Sequence, residues 1–186
     1  MALKLMRVLR LDPSDTFVFP RAAEPGEWAV AGSFLFADAD PAVLEPKQRA
    51  AFRAGFLGAR SFAFSTLVVI APASEAERAG AVEDLARNLV ERLGAPDLDT
   101  ARAAAEEEVA FAAALCEHPV DTVLALHRTR EGGEVRERFR TLRPRDVPTV
   151  GADARHLYAR AFEFVESDED EPAEAVDLVG LTERDR

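Results

Sequence analysis

The sequence predicts an α+β fold: a mainly antiparallel sheet of about five or six strands, covered on one face by an αα-hairpin. Three observations predict it. Residues 74–118 carry apolar positions at helical spacing and stand between two groups of strand-like segments, which favours segregated helices over alternating β-α-β units. Runs 122–129 and 134–142 flank Arg130-Glu131-Gly132-Gly133, and a Gly-containing connection of that length fixes one antiparallel pair. Eight of the twelve phenylalanines fall in the pairs Phe17/Phe19, Phe34/Phe36, Phe62/Phe64 and Phe162/Phe164. A spacing of two puts both rings on one face of a strand, so the pairs predict a sheet whose inner face is lined with Phe.

The elements follow in order. Residues 5–11 alternate as a strand. Residues 16–19 form a short strand ended by Pro20, which cannot donate to a ladder. Pro25-Gly26 marks a turn, and 28–37 is a longer strand. A first helix spans 46–57, weakened by Gly55 and stopped by Gly58. Residues 61–72 contain Ser65-Thr66-Leu67-Val68-Val69-Ile70, the near-continuous apolar run of a central strand.

Ser74-Glu75-Ala76-Glu77 is a capping box, and Val82, Leu85, Ala86, Leu89, Val90 and Leu93 form one stripe after it. Gly94 and Pro96 stop that helix. The next starts near Asp97 or Asp99 and runs to Pro119, so the short connection makes an αα-hairpin. In the 122–142 hairpin, Arg128, Arg130, Arg136, Arg138 and Arg140 are assigned to a solvated face among Glu131, Glu134 and Glu137. Residues 143–151 hold two prolines and form a loop; 155–166 is a strand, with a helix as the alternative.

At 186 residues the chain is one domain long and able to bury a sizeable core without staples. Its single cysteine excludes an intrachain disulfide framework. The formal charge of −11 disfavours nucleic acid and anionic membrane as partners. The charge is unevenly placed. Residues 166–186 hold nine acids and two arginines, leaving the body, 1–165, nearly balanced. The expected organisation is therefore one domain over 1–165 and an acidic flexible tail over 166–186. Arginine outnumbers lysine by 21 to two, a bias read as a GC-rich bacterial genome and not as function. No secretory signal and no membrane-length apolar run is visible, so the expected location is the cytoplasm.

Candidate chemistry is sparse. No phosphate-binding glycine loop, dinucleotide fingerprint or nucleophile elbow occurs, so no catalytic residue and no cofactor is nominated. Cys116, His118 and His127 are the one thiol or metal candidate set; the pattern lacks the second ligand pair that zinc sites show. Cys116 lies on the apolar stripe of its helix, which favours a core role. Trp28, which follows a turn, is an interaction candidate. So are Val176, Leu178 and Val179, in an apolar island inside the acidic tail.

Several stretches resemble a small proteobacterial family of unknown function. They are 9–19 (Leu9-Arg10-Leu11-Asp12-Pro13 onward), Gly55-Phe56-Leu57-Gly58 with Ser65-Thr66-Leu67-Val68, the run from Cys116-Glu117-His118-Pro119 to Thr122, and Val176-Asp177-Leu178-Val179. They run nearly end to end. The resemblance implies no catalytic residue and at most an accessory role. The leading functional expectation is a non-catalytic protein-interaction or accessory protein whose partner is another protein or a second copy of the chain. The alternative is a small-molecule binding or enzymatic domain with a Phe-lined pocket.

Overall fold

The computed structural model describes residues 2–144 and 162–165, with the backbone alone at 143–144 and 162–165. Its strands are β1 (Lys4–Leu9), β2 (Trp28–Val30), β3 (Phe56–Gly58), β4 (Phe64–Ser65), β5 (Leu67–Pro72), β6 (Val123–Glu131), β7 (Glu134–Pro144) and β8 (Phe162–Val165). They form one antiparallel sheet in the order β4-β3-β2-β1-β5-β6-β7-β8. The helices are α1 (Ser14–Val18), α2 (Pro46–Ala54), α3 (Glu75–Leu93) and α4 (Leu98–Ala114). The α+β class and the αα-hairpin stand, but among the described residues the sheet has eight strands, not five or six. Among the described residues no helix is long and apolar enough to cross a membrane.

The helix pair forms where local signals and burial agree. Ser74 Oγ accepts from Glu77 N at 3.2 Å, and Glu77 returns a bond to Ser74 N, which closes the capping box. Asp97 caps α4 by accepting from Thr100 N at 2.7 Å. Val82, Leu85, Ala86 and Leu89 of α3 are buried together with Ala101, Ala105, Val109 and Ala112 of α4. They pack with Met6, Val8, Val68, Ile70 and Leu124 of the sheet. The alanines of α4 remove side-chain bulk from the contact and let the helices approach closely.

Several expected strands are corrected. Residues 16–19 belong to helix α1 and its exit. Pro13 presets a turned backbone, Asp12 Oδ1 accepts from Ser14 N at 2.8 Å, and Thr16 Oγ1 donates to Pro13 O at 2.6 Å. Phe17 is consequently 72% exposed while Phe19 is buried. The strand expected over 28–37 ends at Val30. Gly32 adopts a positive φ of 78°, and Ser33–Phe36 wind into a 3-10 turn. The helix expected over 46–57 ends at Ala54 because Gly55 is extended, and Phe56–Gly58 join the sheet. The strand expected over 61–72 splits into β4 and β5.

The Phe-lined sheet face is likewise corrected. Phe62 sits in a turn at φ 52°, so it does not share a strand face with Phe64. Phe19, Phe36 and Phe52 instead form a second, smaller core beside the sheet, with Phe64 packed against it. Their rings meet edge-on or tilted, for example Phe36 on Phe52 at 5.5 Å and Phe19 on Phe64 at 5.9 Å. Of the strand expected over 155–166, Phe162–Val165 are strand; 155–161 and 166, like the tail, lie outside the described residues.

The expected hairpin forms, paired from Val123↔Leu142 to Glu131↔Glu134, but Arg130 and Glu131, expected in its loop, belong to β6, and β7 runs on through Arg143 and Pro144, expected as loop. Its arginines are not all solvated. Leu124, Leu126, Arg128 and Arg130 share one face, so Arg128 points inward and is 1% exposed. β6 runs six residues past Ala125, its last partner on β5, and α2 packs beside that overhang. Arg128 ties the two together. Its Nη1 donates to Gly55 O at 2.9 Å and Phe52 O at 3.2 Å, its Nη2 to Ala31 O, and its Nε to Glu137 Oε1 at 2.7 Å. A cation is thereby placed on the unpaired carbonyls that end α2.

Candidate functional site

Two recesses border the second core. The first is an apolar groove of about 560 Å³ lined by Val18, Phe19, Ala50 and Ala54, with Arg49 and Arg53 at its margin. Both helices that form it are pinned by side chains. Asp15 of α1 is 5% exposed and accepts from Thr66 Oγ1 at 2.6 Å and Thr66 N at 3.2 Å. Arg49 of α2 donates to Pro41 O at 3.0 Å and Leu44 O at 2.9 Å, which holds the segment entering the helix. The pinning leaves Val18 exposed in the groove wall, and Phe17, its neighbour in α1, exposed on the surface.

The charge around this groove differs from that of the chain. Helix α2 carries Lys47, Arg49 and Arg53 and no acid within its span. Arg53 also lines the second recess, about 480 Å³, with His127, Thr129 and Arg130. His127 is exposed on β6 opposite Arg138. Partial desolvation lowers its pKa, and the neighbouring cations Arg140, Arg53 and Arg138 lower it further. Asp40 also lines this recess, but Arg53, Arg128 and Arg130 outnumber it, so this corner is cationic on a net acidic chain.

Trp28 lies elsewhere, in a polar cleft of about 460 Å³ lined also by Arg7, Arg60, Glu77 and Asp84. The Arg7 guanidinium stacks 3.8 Å above the indole and donates to Glu77 at 3.0 Å and Gly26 O at 3.0 Å. The wall of the cleft is built by Glu27, 6% exposed, which accepts from Glu24 N, Arg60 N, Ser61 N and Ser61 Oγ. A Cβ at Gly58 would sit 2.6 Å from the Glu27 carboxyl carbon, so this close approach requires glycine. Arg7, Glu27 and Glu77 of the cleft are thus engaged in holding the fold.

The thiol and metal candidates are dispersed. Cys116 is 1% exposed, and its thiol donates to Ala112 O at 3.3 Å. Burial pushes its pKa up to about 11, which disfavours the thiolate. The helix expected to run to Pro119 ends at Ala114; a 3-10 turn, Leu115–Glu117, follows, and the carbonyl of His118 just beyond it accepts from Lys4 Nζ at 2.6 Å. Among the described residues no three His, Cys, Asp or Glu side chains gather in a metal-binding group. Val176, Leu178 and Val179 lie outside the described residues.

Sequence reasoning missed Phe17, Val18, Ala50 and Arg53 as surface-forming residues, and placed Arg128 on the wrong face. A signal for Arg128 was present: it keeps the parity of Leu124 and Leu126 along β6, whereas Arg136, Arg138 and Arg140 pair opposite Thr129, His127 and Ala125. No local pattern marks the groove, because its two walls are over thirty residues apart.

No curated protein and no solved structure matches the chain. A family model described as a family of unknown function, DUF6505, matches residues 1–157, and the chain belongs to that family.

Proposed function

We propose that the protein is a non-catalytic interaction protein, and that the groove between α1 and α2 takes a short apolar segment of a protein partner flanked by acidic residues. One observation carries this reading. An apolar groove, with Val18 43% exposed in its wall, is margined by cations on a chain of net charge −11. Exposed aromatic and aliphatic side chains beside a groove supply the buried anchors of an interface. Arginines at the margin select the charge of what approaches. The Phe cluster supports the same reading over a Phe-lined ligand pocket, since Phe19, Phe36, Phe52 and Phe64 pack against one another.

Selection of a random peptide library on the full chain tests the reading. The expected winners carry two or more apolar residues flanked by Asp or Glu, and lose at least tenfold in affinity on Ala50→Glu, which places a charge in the groove. Winners indifferent to Ala50→Glu, or no winners, would remove the groove from the function.

A further inference from the structure

The chain carries a segment of the chemistry that groove selects. Residues 175–181 read Ala-Val-Asp-Leu-Val-Gly-Leu, and six acids precede them from Glu166 to Glu174. We propose that this island, through Val176, Leu178, Val179 and Leu181, docks in the α1–α2 groove of its own chain and competes there with the partner. The inference rests on the groove being a peptide-binding surface and adds what occupies it when no partner is present.

Charge, direction and reach support it. Residues 166–186 carry nine acids and two arginines, and α2 carries Lys47, Arg49 and Arg53 with no acid. Opposite charges of this kind favour the encounter of the two segments.

Direction follows from register. β8 pairs Phe162 with Pro144 and Val165 with Thr141, so it runs toward the hairpin end of β7. A chain leaving Val165 on that heading meets the level of Arg140 and then Arg138, opposite Ala125 and His127 of β6. Arg53 lies beside His127 there and lines the groove as well. The exit from the sheet is thus aimed at the cationic margin of the groove.

Reach is sufficient. Crossing from β8 over β7 to β6 is two strand spacings, roughly 10 Å, and the advance from Leu124 to Arg128 along β6 is about 13 Å. A helix layer adds about 10 Å more. The straight path to α2 is then on the order of 20–30 Å, and ten extended residues, 166–175, span up to about 33 Å. The link is long enough without slack for a distant site. An intramolecular segment on so short a link faces an effective concentration near the millimolar range, so weak contacts suffice for occupancy.

The experiment compares amide spectra of the full chain with those of the full chain carrying Val176→Ser, Leu178→Ser, Val179→Ser and Leu181→Ser. The four positions lie outside the described residues. The expected result is shifted amides at Val18, Phe19, Ala50 and Ala54 and unmoved amides at Leu85 and Ala105. A synthetic 172–184 peptide added to the variant should move the first set back, and a peptide with the same four serines should not. Identical spectra at α1 and α2 overturn the proposal. Shifts that vanish on tenfold dilution also overturn it, since the occupant is then the tail of a second copy.

Peptides from the library selection separate this inference from the reading beneath it. They should bind the serine variant at least tenfold more tightly than the parent chain. Equal binding to both, abolished by Ala50→Glu, leaves the groove as a partner site and removes self-occupancy alone. No binding to either removes the groove itself.

Discussion

Between the helix pair and the sheet, the buried surface is aliphatic: Val82, Leu85 and Leu89 lie against Met6, Val8, Val68 and Ile70. Around α1 and α2 the buried surface is different. It consists of phenylalanine rings, a guanidinium at 1% exposure and a carboxylate, Asp15, at 5%. The first region is made of long regular elements whose backbone groups pair within helices and ladders. The second is made of short elements whose ends leave carbonyls and amides unpaired, and side chains supply the partners: Arg128 for the end of α2, Asp15 for Thr66 and Arg49 for the segment entering α2. Irregular backbone is affordable inside a fold only where polar side chains are buried to meet it. The surface proposed to bind partners lies on that second region.

The sharpest way to break the comparison is Arg128→Met. Methionine fills the space but takes the guanidinium from the carbonyls of Ala31, Phe52 and Gly55 and leaves Glu137, which also accepts from Ser33 Oγ, without its counter-ion. Removing one partner of a buried ion pair costs about 3–5 kcal/mol. Urea unfolding should show a loss of that size, and Arg128→Lys should recover little of it, because one ammonium cannot serve a forked set of acceptors. A loss under about 1 kcal/mol would mean that the second core stands on its rings alone. The same contrast predicts a modest effect in the regular region. Ser74→Ala, which removes the α3 cap, should cost about 1 kcal/mol in the same measurement.

What was legible in the sequence divides along the same line. The capping box at Ser74, the stop at Gly94 and the Gly132-Gly133 turn are local signals, each read within a few residues, and each sits where expected. The apolar stripe of α3 is equally local. The misread elements are those in which a distant group decides. Phe17 and Phe19 alternate as in a strand, yet the Asp12 and Pro13 turn and the Asp15–Thr66 bond make a helix of 14–18. The 46–57 segment reads as a helix weakened by Gly55, but Phe56 and Leu57 are fully buried and extend the sheet. Gly55 and Gly58 looked like punctuation. One ends α2 beside Arg128, and the other makes room for Glu27. The groove is less legible still, since it exists only once Asp15 meets Thr66 across some fifty residues.

A pair of carboxylates stands between the two regions, and this gives the smallest and most discriminating prediction. Glu108 projects from α4, the aliphatic side, and is half-buried; Glu137 belongs to the Arg128 tie. Burial raises the pKa of Glu108, repulsion from Glu137 raises it further, and Arg128 opposes both. A carboxyl whose folded pKa is raised contributes stability below its ordinary value near ~4.3, and that contribution is lost as the pH rises through the folded value. Glu108→Gln should therefore stabilise the protein at pH 7, by less than about 1 kcal/mol for so partly screened a pair. The gain over the parent chain should shrink toward zero as the pH falls to about 3, where Glu108 is protonated in both folded and unfolded chains. Urea midpoints at the two pH values measure it. A variant less stable at pH 7 would show that attraction to Arg128 outweighs burial and Glu137, which would make Glu108 a second counter-ion of the guanidinium and extend the polar tie across to α4.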